Sequence, residues 1–122
     1  MKNRSRLAYV LLLLGILFLT GCFRAKTGNI MVKVDLSELQ EYQIESVVAI
    51  IVNEKEEYSV EEMTITGTEA TCNFKNVKAG YWYLAFLVET DTGVLDFGNN
   101  TPYKVEGGKT NTVNIILRNP AS

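Results

Sequence analysis

Apolar and polar residues alternate along most of the chain from residue 30 onward. Ile30, Val32 and Val34 alternate with Lys33 and Asp35, a period of two that is typical of a strand with one buried face. Similar segments follow at short intervals, separated by turn residues, and none has the period of an amphipathic helix. The pattern predicts an all-β fold: one seven-stranded antiparallel β-sandwich over residues 30–118, with a short tail at 119–122.

Two of the predicted strands are apolar on both faces, although only one face of each strand in a sandwich belongs to the core. They are the segments VVAIIV and YWYLAFLVE. In the second segment, the alternate residues from Trp82 to Val88 are predicted to point inward. If the two strands are neighbours, their outer faces form an apolar patch rimmed by tyrosines, and such patches mark contact sites. The candidate interaction face predicted here consists of Tyr81, Tyr83, Leu87, Val47 and Ile51. The alternative is that the connection around Leu39 and Tyr42 folds over this face as a third layer.

The longest apolar run is not part of this pattern. Residues 7–19 carry no charge and follow Lys2, Arg4 and Arg6. Thirteen residues are too few to span a bilayer as a helix, which needs about 20. A basic start, a short apolar stretch and small residues after it are typical of a secretory signal peptide.

The residues that end this run, Leu19-Thr20-Gly21-Cys22, resemble the lipobox of bacterial lipoproteins. That resemblance implies removal of residues 1–21, and a diacylglyceryl thioether and an N-acyl chain on Cys22. Residues 22–29 would then form a lipidated tether. The implied location is a bacterial cell membrane: the outer membrane in a Gram-negative host, otherwise the outer face of the cytoplasmic membrane. Phe23 in place of Asp after the cysteine resembles outer-membrane sorting.

Charge and composition narrow the function of the remaining 101 residues. Without Lys2, Arg4 and Arg6 the chain has 9 basic and 14 acidic residues, a net charge of −5, which argues against nucleic acid as a partner. Histidine is absent, so the commonest general base and the commonest metal ligand are missing. Cys72 has no basic partner of that kind and is predicted to face the core. We therefore expect no enzymatic activity.

A second resemblance lies in FKNVKAGYWYLAF. Phe74, Asn76-Val77, Ala79-Gly80, Trp82 and Leu84 resemble the core pattern of prealbumin-like sandwiches, which include the carboxypeptidase regulatory-like domains. Val105 to Leu117 resembles their last hairpin. The resemblance implies an immunoglobulin-like or prealbumin-like topology, and it implies nothing specific about function.

The segment VETDTGVLDFGNN reads as an acidic loop, and similar loops in related sandwiches resemble calcium sites. Glu89, Asp91 and Asp96 are the weak calcium candidates here. Their spacing departs from the calcium-loop pattern because Thr90 and Thr92 stand where acids are needed. A solvated hairpin loop is the preferred interpretation, and no cofactor is predicted beyond the covalent lipid on Cys22.

These observations together predict a membrane-anchored lipoprotein that presents a non-enzymatic sandwich for protein binding or assembly at the cell envelope. The alternative is a carbohydrate-binding or adhesive surface module, with a weak calcium loop. The expected partners are accordingly the membrane, through the lipid, and an envelope protein or a glycan.

Overall fold

The computed structural model describes residues 26–98 and 100–120. The predicted signal peptide, the lipobox and Cys22 lie outside these residues. Within the described part of the chain, no helix is long and apolar enough to cross a membrane.

The described residues form two β-sheets that pack face to face as a sandwich. The first sheet has the strand order β4-β5-β1-β9, and the second has the order β3-β2-β6-β7, with β8 paired to the start of β6. A single 3₁₀ turn, Ser37–Leu39, links the first two strands. The strands are β1 Thr27–Asp35, β2 Ile44–Val52, β3 Tyr58–Glu62, β4 Thr64–Thr66, β5 Glu69–Lys78, β6 Gly80–Thr90, β7 Gly93–Gly98, β8 Tyr103–Val105 and β9 Thr110–Ile116.

The core lies between the sheets and is built from alternate residues of the long strands. Trp82, Leu84, Phe86 and Val88 of β6 point inward, as the sequence predicted. The first sheet supplies Ile30, Val32 and Val34 from the opposite side. Side chains that alternate in this way bury one face of each strand. This burial stabilises the fold by about 25 cal/mol for each Å² of apolar surface removed from water.

The strand count differs from the sequence prediction, because the described residues form nine strands rather than seven. One reason is that the predicted acidic loop is a hairpin. β6 runs to Thr90 and β7 begins at Gly93, so only Asp91 and Thr92 form the turn. Leu95 and Phe97 of β7 pack against the core, and their alternation fits a strand.

The boundary of the predicted tether also differs. β1 begins at Thr27, three residues before the predicted edge of the domain at residue 30. The backbone N–H of Gly108 donates to the Thr27 carbonyl at 2.8 Å, and the N–H of Asn29 donates to the Lys109 carbonyl at 2.9 Å. These bonds to the β8–β9 turn extend the strand beyond its apolar segment.

A bend at Met63 separates β3 from β4. β3 belongs to the second sheet and β4 to the first, and the chain crosses between them at this residue. Met63 is buried, and its N–H donates to the Val47 carbonyl at 2.8 Å. One inward methionine thus separates two differently facing strands.

Candidate functional site

The outer face of the second sheet carries four of the six large hydrophobic side chains that are exposed in the described fold. In β2 and β6, Val48 pairs with Leu87, Ile50 with Ala85 and Val52 with Tyr83. Residues paired across antiparallel strands share a face, so these six side chains form a continuous surface. Below, the outer face means these residues together with their neighbours on the same face of β3, β6 and β7, which include three carboxylates: Tyr58, Val60, Glu62, Tyr81, Glu89, Val94 and Asp96.

Two members of the predicted interaction face are not on this surface. Val47 and Ile51 pair with Val88 and Leu84, which point inward, and both are fully buried in the core. The prediction that they belong with the tyrosines is wrong by one residue of register. The alternate residues of the same strand, Val48, Ile50 and Val52, occupy the outer face instead.

The remaining predicted residues do lie on the outer face. Tyr81 is 55% exposed, whereas Tyr83 and Leu87 are half-buried among their neighbours in the sheet. The predicted third layer is absent from the described residues. Leu39 is fully buried in the core, and Tyr42 packs against that core with its hydroxyl donating to Asn119.

Three of the four most exposed apolar side chains of the outer face come from strands that the sequence did not place beside it. Tyr58 is 71% exposed and Val60 is 49% exposed on β3, and Val94 of β7 is 59% exposed. Alternation indicates that Tyr58 and Val60 share a face, but only the tertiary structure shows which strand pairs with β3. The missed residues broaden the surface from two strands to four.

An open groove of about 220 Å³ lies next to one corner of the outer face. Its walls come from the β2–β3 turn and the β5–β6 turn, and Lys78 donates to Glu57 between them at 2.7 Å. That contact, with the Asn53 amide, holds the pKa of the Glu57 carboxyl below its usual value. Tyr81 offers an exposed ring here, whereas Trp82 is buried and its indole N–H donates to the Lys78 carbonyl.

The weak calcium candidates Glu89, Asp91 and Asp96 make separate contacts. Asp91 accepts from the backbone of Gln43, and Glu89 accepts from the hydroxyl of Ser46. Asp96 pairs with Leu87 two positions further along the hairpin. Among the described residues, no three acidic or cysteine side chains are grouped so as to hold a metal ion.

Cys72 is half-buried on the inner face of the first sheet, where it pairs with Val32. Burial, and to a smaller extent the nearby Glu61 carboxylate, raises the pKa of this thiol to about 11. A thiol with so high a pKa is a poor nucleophile at neutral pH. Its environment is that of a small core residue.

Comparison of the chain with protein-family models, with curated proteins and with solved structures found no match.

Proposed function

We propose that this protein is a bacterial lipoprotein, anchored through a lipid on Cys22, whose sandwich binds a partner protein at the cell envelope. Its topology is proposed to be immunoglobulin-like or prealbumin-like, on the strength of the sequence resemblance. It acts by binding and not by catalysis.

The observation that carries the proposal is the outer face of the second sheet. Four neighbouring strands present apolar side chains there, and Tyr58, Val60, Tyr81 and Val94 are each about half exposed or more. Contiguous apolar surfaces on folded domains mark contact sites. Tyrosine is enriched in protein interfaces because its ring buries a large area while its hydroxyl still forms hydrogen bonds.

The first sheet provides the contrast that makes the surface distinctive. Its outer face is mainly polar, with Met31 and Ile116 as its apolar members. The polar residues are typical of a solvated sheet: Lys33, Thr71, Asn73, Thr112 and Asn114. A sandwich whose two outer faces were both polar in this way would have no apolar face for a partner to cover. The asymmetry between the two outer faces therefore favours a specific contact on the second sheet.

Photo-cross-linking in native membranes tests this proposal. A benzophenone amino acid at Val60 samples the outer face, and the same residue at Thr112 samples the first sheet. We expect one stoichiometric partner protein cross-linked at position 60 and none at position 112. The Tyr58→Ser/Tyr81→Ser variant should lose the cross-link, whereas Ile65→Ser/Ile116→Ser, which removes two exposed residues of the first sheet, should retain it.

Equal cross-linking at both positions, or none at either, would contradict a protein-binding role for this face. Folding of both double variants is checked by circular dichroism and by the midpoint of urea unfolding. The four substituted side chains are at least 37% exposed, so both variants are expected to fold.

The groove beside Tyr81 favours a second candidate, a carbohydrate-binding module. An aromatic ring that stacks on a sugar, with Asn53, Glu54 and Lys55 nearby as hydrogen-bonding groups, is a suitable arrangement. Only one aromatic ring is exposed in this groove, which makes it the weaker candidate. Isothermal titration with cell-wall glycan fragments tests it: binding that is lost in Tyr81→Ser and kept in Tyr58→Ser would favour the groove over the outer face.

A further inference from the structure

The turns at one end of the sandwich gather around the start of β1. The Lys26 carbonyl accepts from the N–H of Ala79 at 2.6 Å, and the Thr27 carbonyl accepts from Gly108 at 2.8 Å. The β2–β3 turn joins this group through the ion pair of Glu57 with Lys78. The basal end is defined here as residues 26–28 together with residues 53–57, 75–80 and 104–109.

The basal end carries nearly all the lysines of the described residues. Lys33, in the middle of β1, is the one that lies elsewhere in that part of the chain. Four glutamates accompany them, and two of these are already paired with Lys78 and Lys109. The basal lysines are Lys26, Lys55, Lys75, Lys78, Lys104 and Lys109.

The opposite end, called the distal end, is acidic. It comprises the 3₁₀ turn with its flanks, the β4–β5 and β6–β7 turns, and the residues after β9. Seven carboxylates lie there, and Arg118, paired with Glu38 at 2.6 Å, is the sole cation within the described residues of this end. The carboxylates are Asp35, Glu38, Glu41, Glu45, Glu69, Glu89 and Asp91.

The chain that leads to the proposed anchor leaves from the basal end. Five peptide steps separate Cys22 from Thr27, so this stretch spans at most about 18 Å. β6 alone has 11 residues and extends about 36 Å. The distal end therefore reaches the bilayer only if the sandwich lies on its side.

From this arrangement we infer that the basal end rests on anionic phospholipid headgroups, with the strands directed away from the bilayer. The inference rests on the proposed anchor at Cys22. A basic residue close to an anionic bilayer favours contact by about fivefold, and the distal carboxylates are repelled by the same surface. The upright orientation turns the outer face of the second sheet sideways, toward a neighbouring protein in the same membrane.

Lysine acetylation on vesicles tests the orientation. Full-length protein is purified in lipidated form, the acyl groups on Cys22 are verified by mass spectrometry, and it is inserted into vesicles of phosphatidylglycerol or of phosphatidylcholine. Acetylation rates at Lys55 and Lys104 are compared with that of Lys33 as an internal reference. We expect both ratios to fall about fivefold on phosphatidylglycerol relative to phosphatidylcholine, and to recover at about 1 M salt.

Two double variants with the same loss of charge provide the matched control. Lys104→Gln/Lys109→Gln removes two basal charges and should weaken the protection of Lys55. Lys33→Gln/Arg118→Gln removes two charges elsewhere and should leave it unchanged. Because this variant lacks Lys33, the Lys55 rates of both double variants are referred to a lysine peptide added to the buffer. Both pairs are exposed surface side chains, so neither variant is expected to unfold the domain.

The outcomes separate this inference from the proposed function. Acylated protein whose Lys55 and Lys33 react alike on both vesicles overturns the upright orientation and leaves the proposed function standing. Protection of Lys33 above that of Lys55 also overturns it, because the first sheet would then face the lipid. Absence of acyl groups on Cys22 overturns both the anchor and the orientation that depends on it.

Discussion

Single residues in this fold have effects that their side-chain type alone does not reveal. Gly28 is buried where β1 meets the β8–β9 turn, and hydrogen bonds on both sides of it hold the two backbones together. A β-carbon here would overlap the carbonyl oxygen of Glu106 and lie 2.7 Å from that of Lys109. Both are backbone atoms, so the contact cannot be relieved by a side-chain rotation.

Gly28→Ala is accordingly expected to destabilise the protein by about 3 kcal/mol, a value at the upper range for overpacking. The measurement is urea unfolding followed by tryptophan fluorescence. Gly98→Ala is the matched control, because a β-carbon there meets no atom within 4 Å, and its unfolding free energy should stay within about 0.5 kcal/mol of the wild type. Equal stability of the two variants would contradict the close approach.

Cys72 provides a prediction about pH. Its pKa of about 11 in the folded chain exceeds the ordinary thiol value of about 8.5. The folded state therefore binds the Cys72 proton more tightly than the unfolded state does, which adds to the free energy of unfolding. This contribution is complete below the pKa of the unfolded thiol and is lost as pH rises from about 9 to 11. Urea midpoints over this range should fall more steeply in a Cys22→Ser background than in Cys22→Ser/Cys72→Ala, which shares every other titrating group.

Parallel pH curves for the two proteins would refute the contribution of Cys72. The same background gives an independent readout, since iodoacetamide should modify the folded thiol far more slowly than the urea-unfolded thiol at pH 8.

Individual elements show where alternation is informative and where it is incomplete. Alternation alone identified the inward set of β6, because a period of two assigns faces within one strand. Alternation did not predict β7, because Gly93, Asp96 and Gly98 are residues typical of a loop and the segment was predicted to be one. Tertiary contacts override weak local preference there, since Phe97 pairs with Phe86 and packs against the core.

The β2–β3 turn is specified by its side chains. The Asn53 carboxamide oxygen accepts from the N–H groups of Lys55 and Glu57, and its amide donates to the Glu57 carboxylate. Glu56 takes a left-handed conformation with φ of 64°, which costs a residue other than glycine about 1 kcal/mol.

Glu56→Gly should therefore stabilise the protein by about 0.5 kcal/mol, since it removes that strain at some cost in chain entropy. Glu54→Gly makes the same chemical change in the same turn without positive φ, and should be neutral or destabilising. Thermal unfolding followed by circular dichroism ranks the two. A lower melting temperature for Glu56→Gly than for Glu54→Gly would contradict the strain.

The whole molecule must also keep the exposed edges of its sheets from pairing with other chains. β3 is an edge strand of the second sheet, and Tyr58 and Val60 on its outer side favour association. Glu61 and Glu62 are exposed on the same strand. Charges on an edge strand oppose pairing with a second chain.

Glu61→Val/Glu62→Val should associate in a concentration-dependent manner, because it leaves a five-residue edge strand without charge. Analytical ultracentrifugation measures the effect. Glu54→Val/Glu106→Val has the same change in net charge on two turns and should behave as the wild type does. Similar sedimentation of the two variants would show that the edge charges are not what opposes association.

The sequence by itself determined the features that depend on local order along the chain. Alternation with a period of two defined an all-β domain and the inward residues of β1 and β6, since strand geometry fixes which side chains share a face. It also carried the resemblance to a lipobox at Cys22, which stays a prediction.

Only the tertiary structure decided which strands are neighbours and in what register. The register of β2 against β6 moved Val47 and Ile51 into the core and brought Val48 and Ile50 to the outer face. Pairing also placed Tyr58 beside that face and gathered the lysines at one end. Contacts between residues far apart in the chain arise from packing. The local pattern of the sequence therefore does not determine which strands pair or in what register.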